Sequence, residues 1–217
     1  MSRPSHYLVI DLEATCDDRA HGNGRGAVPP NEMEIIEIGA VLADAETLEP
    51  IADFQTFVRP VRHPLLTPFC TTLTSITQDD VSNAKGFREA IAELTRFIDG
   101  RDALFCSWGD YDRNQFEQDA RFHHVTLPFG GRHMNVKKRF SAELGETKRH
   151  GMAGALARVG LPLVGTHHRG IDDARNIARL LPWCLGRAKA PEPTRQDHLP
   201  ERGARGDRRR TRGGVRE

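Results

Sequence analysis

Aromatic residues are scarce: Phe, Trp and Tyr make up 6% of the 217 residues, with two Trp and two Tyr. A core built from this chain is therefore mostly aliphatic. No apolar run approaches the roughly 18 residues that would read as a membrane span. The N-terminal stretch MSRPSHYLVIDLEAT has a very short apolar run with carboxylates directly after it, so no secretory signal is expected. The four cysteines (Cys16, Cys70, Cys106 and Cys184) are scattered, with no CxxC pair. That spacing excludes a zinc finger and a disulfide framework. It favours thiols in a reducing compartment, hence a cytoplasmic location.

An excess of one charge is also missing, since the net charge is +1. The balance conceals an asymmetry. Residues 187–217 hold 10 Lys or Arg against 5 Asp or Glu, which leaves residues 1–186 at −4. Rich in Arg, Pro and Gly, and almost without large apolar side chains, 187–217 cannot bury enough surface to fold. It reads as a basic disordered tail, either a plain solvated terminus or an electrostatic hook for a polyanion. Residues 1–186 suffice for one domain.

Along that domain HYLVIDLEAT reads as a strand, and EIIEIGAVLAD and ADFQTFVRP as two more joined by a turn near Ala45–Pro50. Between the first two lies a loop, 17–32, rich in Gly, Pro and charge, that could lie over a site. Phe87, Ala90, Ile91, Leu94 and Ile98 then recur at helical spacing. DALFCSW reads as a short buried strand, and YDRNQFEQDARF, MAGALARVG and IDDARNIARLL as helices, with Pro182 marking an end or a kink. Three strands followed by helix–strand–helix alternation make an α/β pattern with a mixed sheet.

Asp11 and Glu13 stand two apart on the first strand, so they share a face, about 7 Å apart along it. The run YLVI carries the core right up to Asp11, which weakens the reading of a merely solvated carboxylate. Hard divalent cations take oxygen ligands of this kind, and Mg²⁺ in particular takes few protein carboxylates. Further carboxylates are available at Asp110 and Asp112, just after the buried strand, and at Asp172 and Asp173, opening the last helix. His168 precedes Asp173 by five residues, about 500° of helical rotation, and so belongs in the preceding loop, with Gly170 giving it freedom to swing. Zinc bound jointly by His168 and Asp172 is the alternative, but no further His or Cys set completes it.

In DLEAT, WGDYDRNQF and HHRGIDDARNIARL the chain resembles the three motifs of DnaQ-like (DEDDh) 3′–5′ exonucleases. Within that superfamily it resembles most the histone-mRNA and small-RNA 3′ exonucleases and their KapD-like bacterial relatives. DLEATC, EIIEIGAVL, FQTFVRP, LTSITQDDV and HHRGIDDARNIAR carry the likeness over residues 6–185. The resemblance implies an RNase H-like fold with a mixed five-stranded sheet flanked by helices. It also implies two Mg²⁺ (or Mn²⁺) ions held by Asp11, Glu13, Asp112 and Asp173, with His168 as general base.

The implied reaction releases nucleoside 5′-monophosphates from a single-stranded nucleic acid 3′ end or overhang, RNA ahead of DNA. The doubled His167–His168 and Asp172–Asp173, and Asp110 beside Asp112, leave one-step register alternatives. Ala14 and Thr15 match positions near the terminal nucleotide. Leu73, Ile76 and Met152 are candidates for an apolar wall against its base, with core packing as the competing reading. Trp108 and Tyr111 offer stacking surfaces, core packing being the default for Trp108. A proofreading-type DNA exonuclease is the main rival. A decayed, non-catalytic adaptor would lack a carboxylate, and none is missing.

Overall fold

The computed structural model describes residues 3–18 and 28–192. In chain order the elements are β1 (His6–Ala14), β2 (Ile35–Asp44), β3 (Pro50–Phe57), α1 (Pro68–Thr74), α2 (Gln78–Ser82), α3 (Phe87–Ile98), β4 (Ala103–Ser107), α4 (Tyr111–His123), β5 (His133–Asn135), α5 (Val136–Glu143), α6 (Met152–Arg158) and α7 (Gly170–Cys184). The sheet order is β3-β2-β1-β4-β5. β1–β2 and β2–β3 pair antiparallel, whereas β1–β4 and β4–β5 pair parallel. This is the mixed five-stranded sheet of an RNase H-like fold. Residue patterns alone show four of its strands. β5, at three residues, is too short to carry a period, and the short helices α1 and α2 escape for the same reason.

Alternation along β1 feeds two cores. Leu8, Ile10 and Leu12 pack with Phe87, Ile91 and Leu94 of α3 and Phe116 of α4 on one face. Tyr7 and Val9 pack under α5, α6 and α7 on the other. Cross-strand partners share a face, so this second face reads Tyr7 with Ala43, Val9 with Val41, Asp11 with Gly39 and Glu13 with Glu37. It is apolar at one end and acidic at the other.

α7 lies along that second face because its buried residues, including Ile171, Ala174, Ile177, Ala178 and Leu181, recur at helical spacing. Pro182 neither ends nor breaks it before Cys184. At its other end α7 touches strand backbone. A Cβ on Gly39 would stand 2.1 Å from the Gly170 carbonyl carbon, and one on Gly170 would stand 2.9 Å from the Asp11 carbonyl oxygen. Gly170 therefore serves close packing rather than the swing of His168 expected from its flexibility.

Arg187 donates to the carbonyls of Glu46 (2.6 Å) and Ala45 (2.9 Å), so the first residue of the basic segment is held on the domain. The rest of that segment beyond residue 192, and residues 19–27 of the 17–32 loop, lie outside the described residues. Among the described residues no helix is long and apolar enough to cross a membrane.

Gly39→Ala tests the backbone contact. Overpacking against backbone costs about 3 kcal/mol at the upper end of its usual range, and a domain of this size loses about 2–4 °C per kcal/mol. Thermal unfolding should show the melting temperature lowered by about 6–12 °C; an unchanged value would mean that α7 does not sit this close.

Candidate active site

Three elements bring carboxylates to one place. β1 supplies Asp11, half-buried, and Glu13, buried; the first turns of α4 and α7 supply Asp112 and Asp173, both buried. Carboxylate oxygens of Asp11, Glu13 and Asp173 lie within 4.8 Å of one another. Asp112 arrives through a gap in the sheet. β4 stops pairing with β1 at Val9–Cys106, which frees the β1 edge beyond it, and there the Leu12 N–H donates to Asp112 Oδ1 at 3.1 Å.

The paired alternatives are engaged elsewhere. Asp110, more exposed, faces Lys138 Nζ at 3.3 Å and Arg113 at 3.8 Å. Asp172 accepts from the Thr166 N–H at 2.9 Å and from Arg175 at 3.3 Å, and so ties down the loop before α7. A helix ligand pair of His168 and Asp172 is not formed, because α7 begins only at Gly170.

The two histidines stack with ring centroids 4.0 Å apart. His167 Nδ1 lies 3.0 and 3.2 Å from the two Asp173 oxygens, while His168 donates to Asp173 through its backbone N–H at 3.0 Å. Nitrogens of both rings lie within 4.8 Å of an Asp173 oxygen. His168 adopts a left-handed backbone, φ 63°. Burial, and then the neighbouring His167, lower the His168 pKa, which leaves its ring neutral at pH 7.

Burial and like charge both act on the carboxylates. Asp11 is pushed well above the usual carboxylate range, first by desolvation and then by Asp112, Asp173, Glu13 and Glu37. Glu13 is raised to about 8 by desolvation and by Asp173, Glu37 and Asp112. For Asp112 desolvation outweighs the Leu12 N–H and gives about 6. Desolvation also raises Asp173, against the opposing pull of its His168 N–H bond and of His167. A buried, all-oxygen, mutually repelling donor set fits a hard divalent cation, which would relieve the repulsion directly.

Glu37 is the principal residue that sequence reasoning missed. Fully buried opposite Glu13, it accepts from the Gly170 N–H (3.0 Å), Arg169 Nε (3.2 Å) and Gln55 (2.6 Å). It thereby fixes the start of α7 and the histidine loop to β2. The available signal was a glutamate between Ile36 and Ile38 in a strand that is otherwise apolar up to its last residue, Asp44. A second buried set, in which Glu34 accepts from the backbone at 61–63 and Asp119 from the Ile35 N–H and Arg62, holds the start of β2 to α4.

The expected nucleotide wall is only partly accessible. Ile76 is fully buried with Ile36, Cys70 and Val81, and Met152 is buried in the core under α7. Both are enclosed by apolar neighbours in this structure, whereas Leu73 is half-exposed. Ala14 and Thr15 are buried too, and the Thr15 hydroxyl accepts from the Glu34 N–H at 2.9 Å. The Trp108 indole donates to the His150 carbonyl at 3.1 Å and packs near Phe140, whereas Tyr111 is 47% exposed at the start of α4.

This fold and these motifs have counterparts among known proteins. The sequence profile of the exonuclease family (RNase T type) matches residues 8–181. The chain belongs to that exonuclease family. It is 30% identical over 189 residues to ERI1 exoribonuclease 3 of Mus musculus, covering 82% of this chain and 53% of that protein. It is 30% identical over 175 residues to the probable 3′-5′ exonuclease KapD of Bacillus subtilis, covering 80% of this chain and 81% of that one. The chain thus spans about half the length of the ERI1-type relatives. The solved nuclease domain of 3′hExo, a DEDDh family member bound to rAMP, superposes with TM-score 0.75 at 27% identity over 89% of this chain and 99% of that one. Exonuclease I, at TM-score 0.60 and 13% identity over 82% of this chain and 40% of that one, shares the fold.

The raised Glu13 pKa gives this exonuclease domain a pH signature. Unfolded, Glu13 titrates at about 4.3; folded and metal-free, it does so at about 8. Between those values the folded state binds the extra proton, so its contribution to stability falls as pH rises. In EDTA, Glu13→Gln should gain stability relative to wild type as pH goes from about 5 to 8. Divalent metal should reverse the order at pH 8. A pH-independent difference would remove the charge-crowding account.

Proposed function

We propose that the chain is a divalent-metal-dependent 3′–5′ exoribonuclease, acting on single-stranded RNA 3′ ends or overhangs and releasing nucleoside 5′-monophosphates. The observation that carries this reading is the convergence of Asp11, Glu13, Asp112 and Asp173 beside a histidine loop, in a chain with no missing carboxylate. Two Mg²⁺ or Mn²⁺ ions on those four residues would supply charge neutralisation at the scissile phosphate and a more acidic attacking water.

His168 takes the proton from that water. Its lowered pKa keeps it neutral and able to accept at pH 7. Asp173 holds the histidine loop through the His168 N–H, and Glu37 holds the same loop from below through Gly170 and Arg169. Tyr111, exposed at the lip of the site, offers a face on which a base can stack, and Leu73 offers apolar contact. The preference for RNA is supported by relatives named as exoribonucleases and by the rAMP held in the 3′hExo nuclease domain. A cytoplasmic location, in keeping with four free thiols, is part of the same proposal.

Matched 5′-labelled RNA and DNA, single-stranded and with 3′ overhangs, should be digested with Mg²⁺ and with Mn²⁺. The expected outcome is shortening from the 3′ end, mononucleotide products, and RNA consumed faster; faster DNA digestion would favour the proofreading-type rival.

The same assay checks the register. Asp112→Ala and Asp173→Ala should each lose at least about 10²-fold in rate, and Asp110→Ala and Asp172→Ala less than about tenfold. His168→Ala should lose about 10²–10⁴-fold, as is typical of a general base, and His167→Ala little. Since His167 is the ring that touches Asp173 here, a reversed result would transfer the base to His167.

A further inference from the structure

Cys16 and Cys70 are distant in sequence and adjacent in space. Thr67, which caps α1, ties their backbones together: its hydroxyl donates to the Cys16 carbonyl at 2.6 Å and accepts from the Cys70 N–H at 3.0 Å. Cys70 Sγ lies 3.6 Å from the Ala14 carbonyl oxygen, and Cys16 packs against the small core that holds Cys70, Ile36, Ile76 and Val81. The two thiol side chains are therefore neighbours across the β1 end and α1. Cys16 is half-buried and open to small solutes, whereas Cys70 is fully buried.

The geometry points to the Cys16–Cys70 pair as a reversible oxidation site, at which disulfide formation slows hydrolysis at the neighbouring carboxylates. Hydrogen peroxide is the oxidant considered. The Cys16 sulfur attacks one peroxide oxygen and the O–O bond breaks. Cys16 becomes a sulfenic acid, and the leaving hydroxide takes up the thiol proton as water. Cys70 sulfur then attacks Cys16 sulfur, the S–OH bond breaks, and a second water leaves. In total two thiols and one peroxide give one disulfide and two waters, with one electron lost by each sulfur and one gained by each peroxide oxygen. Buried directly behind the more accessible Cys16, the Cys70 thiol is placed to act as the resolving nucleophile.

The consequence for the site follows from position. Cys16 is three residues beyond Glu13, and Cys70 shares α1 with Leu73. A disulfide has its sulfurs about 2.05 Å apart, closer than two unbonded thiols can stand, so bonding draws α1 toward the end of β1. A misplacement of about 1 Å can cost up to about 10²-fold in rate. Cytosolic disulfides, where they form, are usually transient and redox-sensing.

The test uses the full chain, reduced and then treated with hydrogen peroxide, alkylated after unfolding and mapped by mass spectrometry. A linked Cys16–Cys70 peptide is expected, 2 Da lighter than the two free peptides together, with Cys106 and Cys184 alkylated. Exoribonuclease kcat/KM should fall about tenfold or more, and dithiothreitol should restore both thiols and rate. Cys16→Ser should keep full basal activity and lose the response to peroxide. Alkylation of all four cysteines, a link between any other pair, or a link that leaves kcat/KM unchanged would overturn the proposal. The effect on rate rests on the exoribonuclease reading. Peptide mapping does not, so an inactive chain that still forms the link would count against that reading and not against the site.

Discussion

The acidic end of this domain depends on backbone meeting backbone: the first turn of α7 rests on β1 and β2 at Gly39 and Gly170. With any larger residue at either position the helix would stand off the sheet. Asp173 would then lie beyond reach of Asp11 and Glu13. The contact is made where the second sheet face changes from apolar to acidic, so the same helix that closes the core also completes the carboxylate cluster. Glu37 locks the approach by taking the Gly170 N–H and the Arg169 guanidinium, which leaves it compensated while its cross-strand neighbour Glu13 is not.

That imbalance explains the chemistry. Helix N-termini at α4 and α7 place some positive potential near Asp112 and Asp173, and the Leu12 and His168 N–H groups add hydrogen bonds. Asp11 and Glu13 receive burial and like charge, all of it unfavourable to ionisation. Without a cation Glu13, raised to about 8, keeps at pH 7 a proton that an ordinary carboxylate would release. A divalent ion held by these carboxylates would displace such protons, which would link folding, metal affinity and proton release at one set of residues.

Much of this was legible in the chain, for identifiable reasons. β1 announced itself by its apolar run ending in two carboxylates two apart, and the apolar stripe from Phe87 to Ile98 is the helix α3. The carboxylates were visible as residue types at strand and helix starts. What makes them one site is tertiary: the stop of β4 pairing at Val9, which lets Asp112 in, and the glycine contact, which lets Asp173 down. Gly170 looked like a hinge because flexibility is the commoner use of glycine in a loop. Ile76 and Met152 looked available for a nucleotide because nothing local distinguishes a wall residue from a core residue. Glu37 carried a local sign, a charge among isoleucines in a strand, but the two partners that tie it to the histidine loop come from 132 and 133 residues away.

The most direct test of the account is Mn²⁺ titration of the metal-free protein by calorimetry at pH 7.5, with wild type beside Asp11→Asn and Asp173→Asn. The account predicts two ions per wild-type chain, bound with release of protons, and loss of at least one site in each variant while the fold is kept. Undiminished Mn²⁺ binding in Asp11→Asn, or no proton release on binding to wild type, would contradict it.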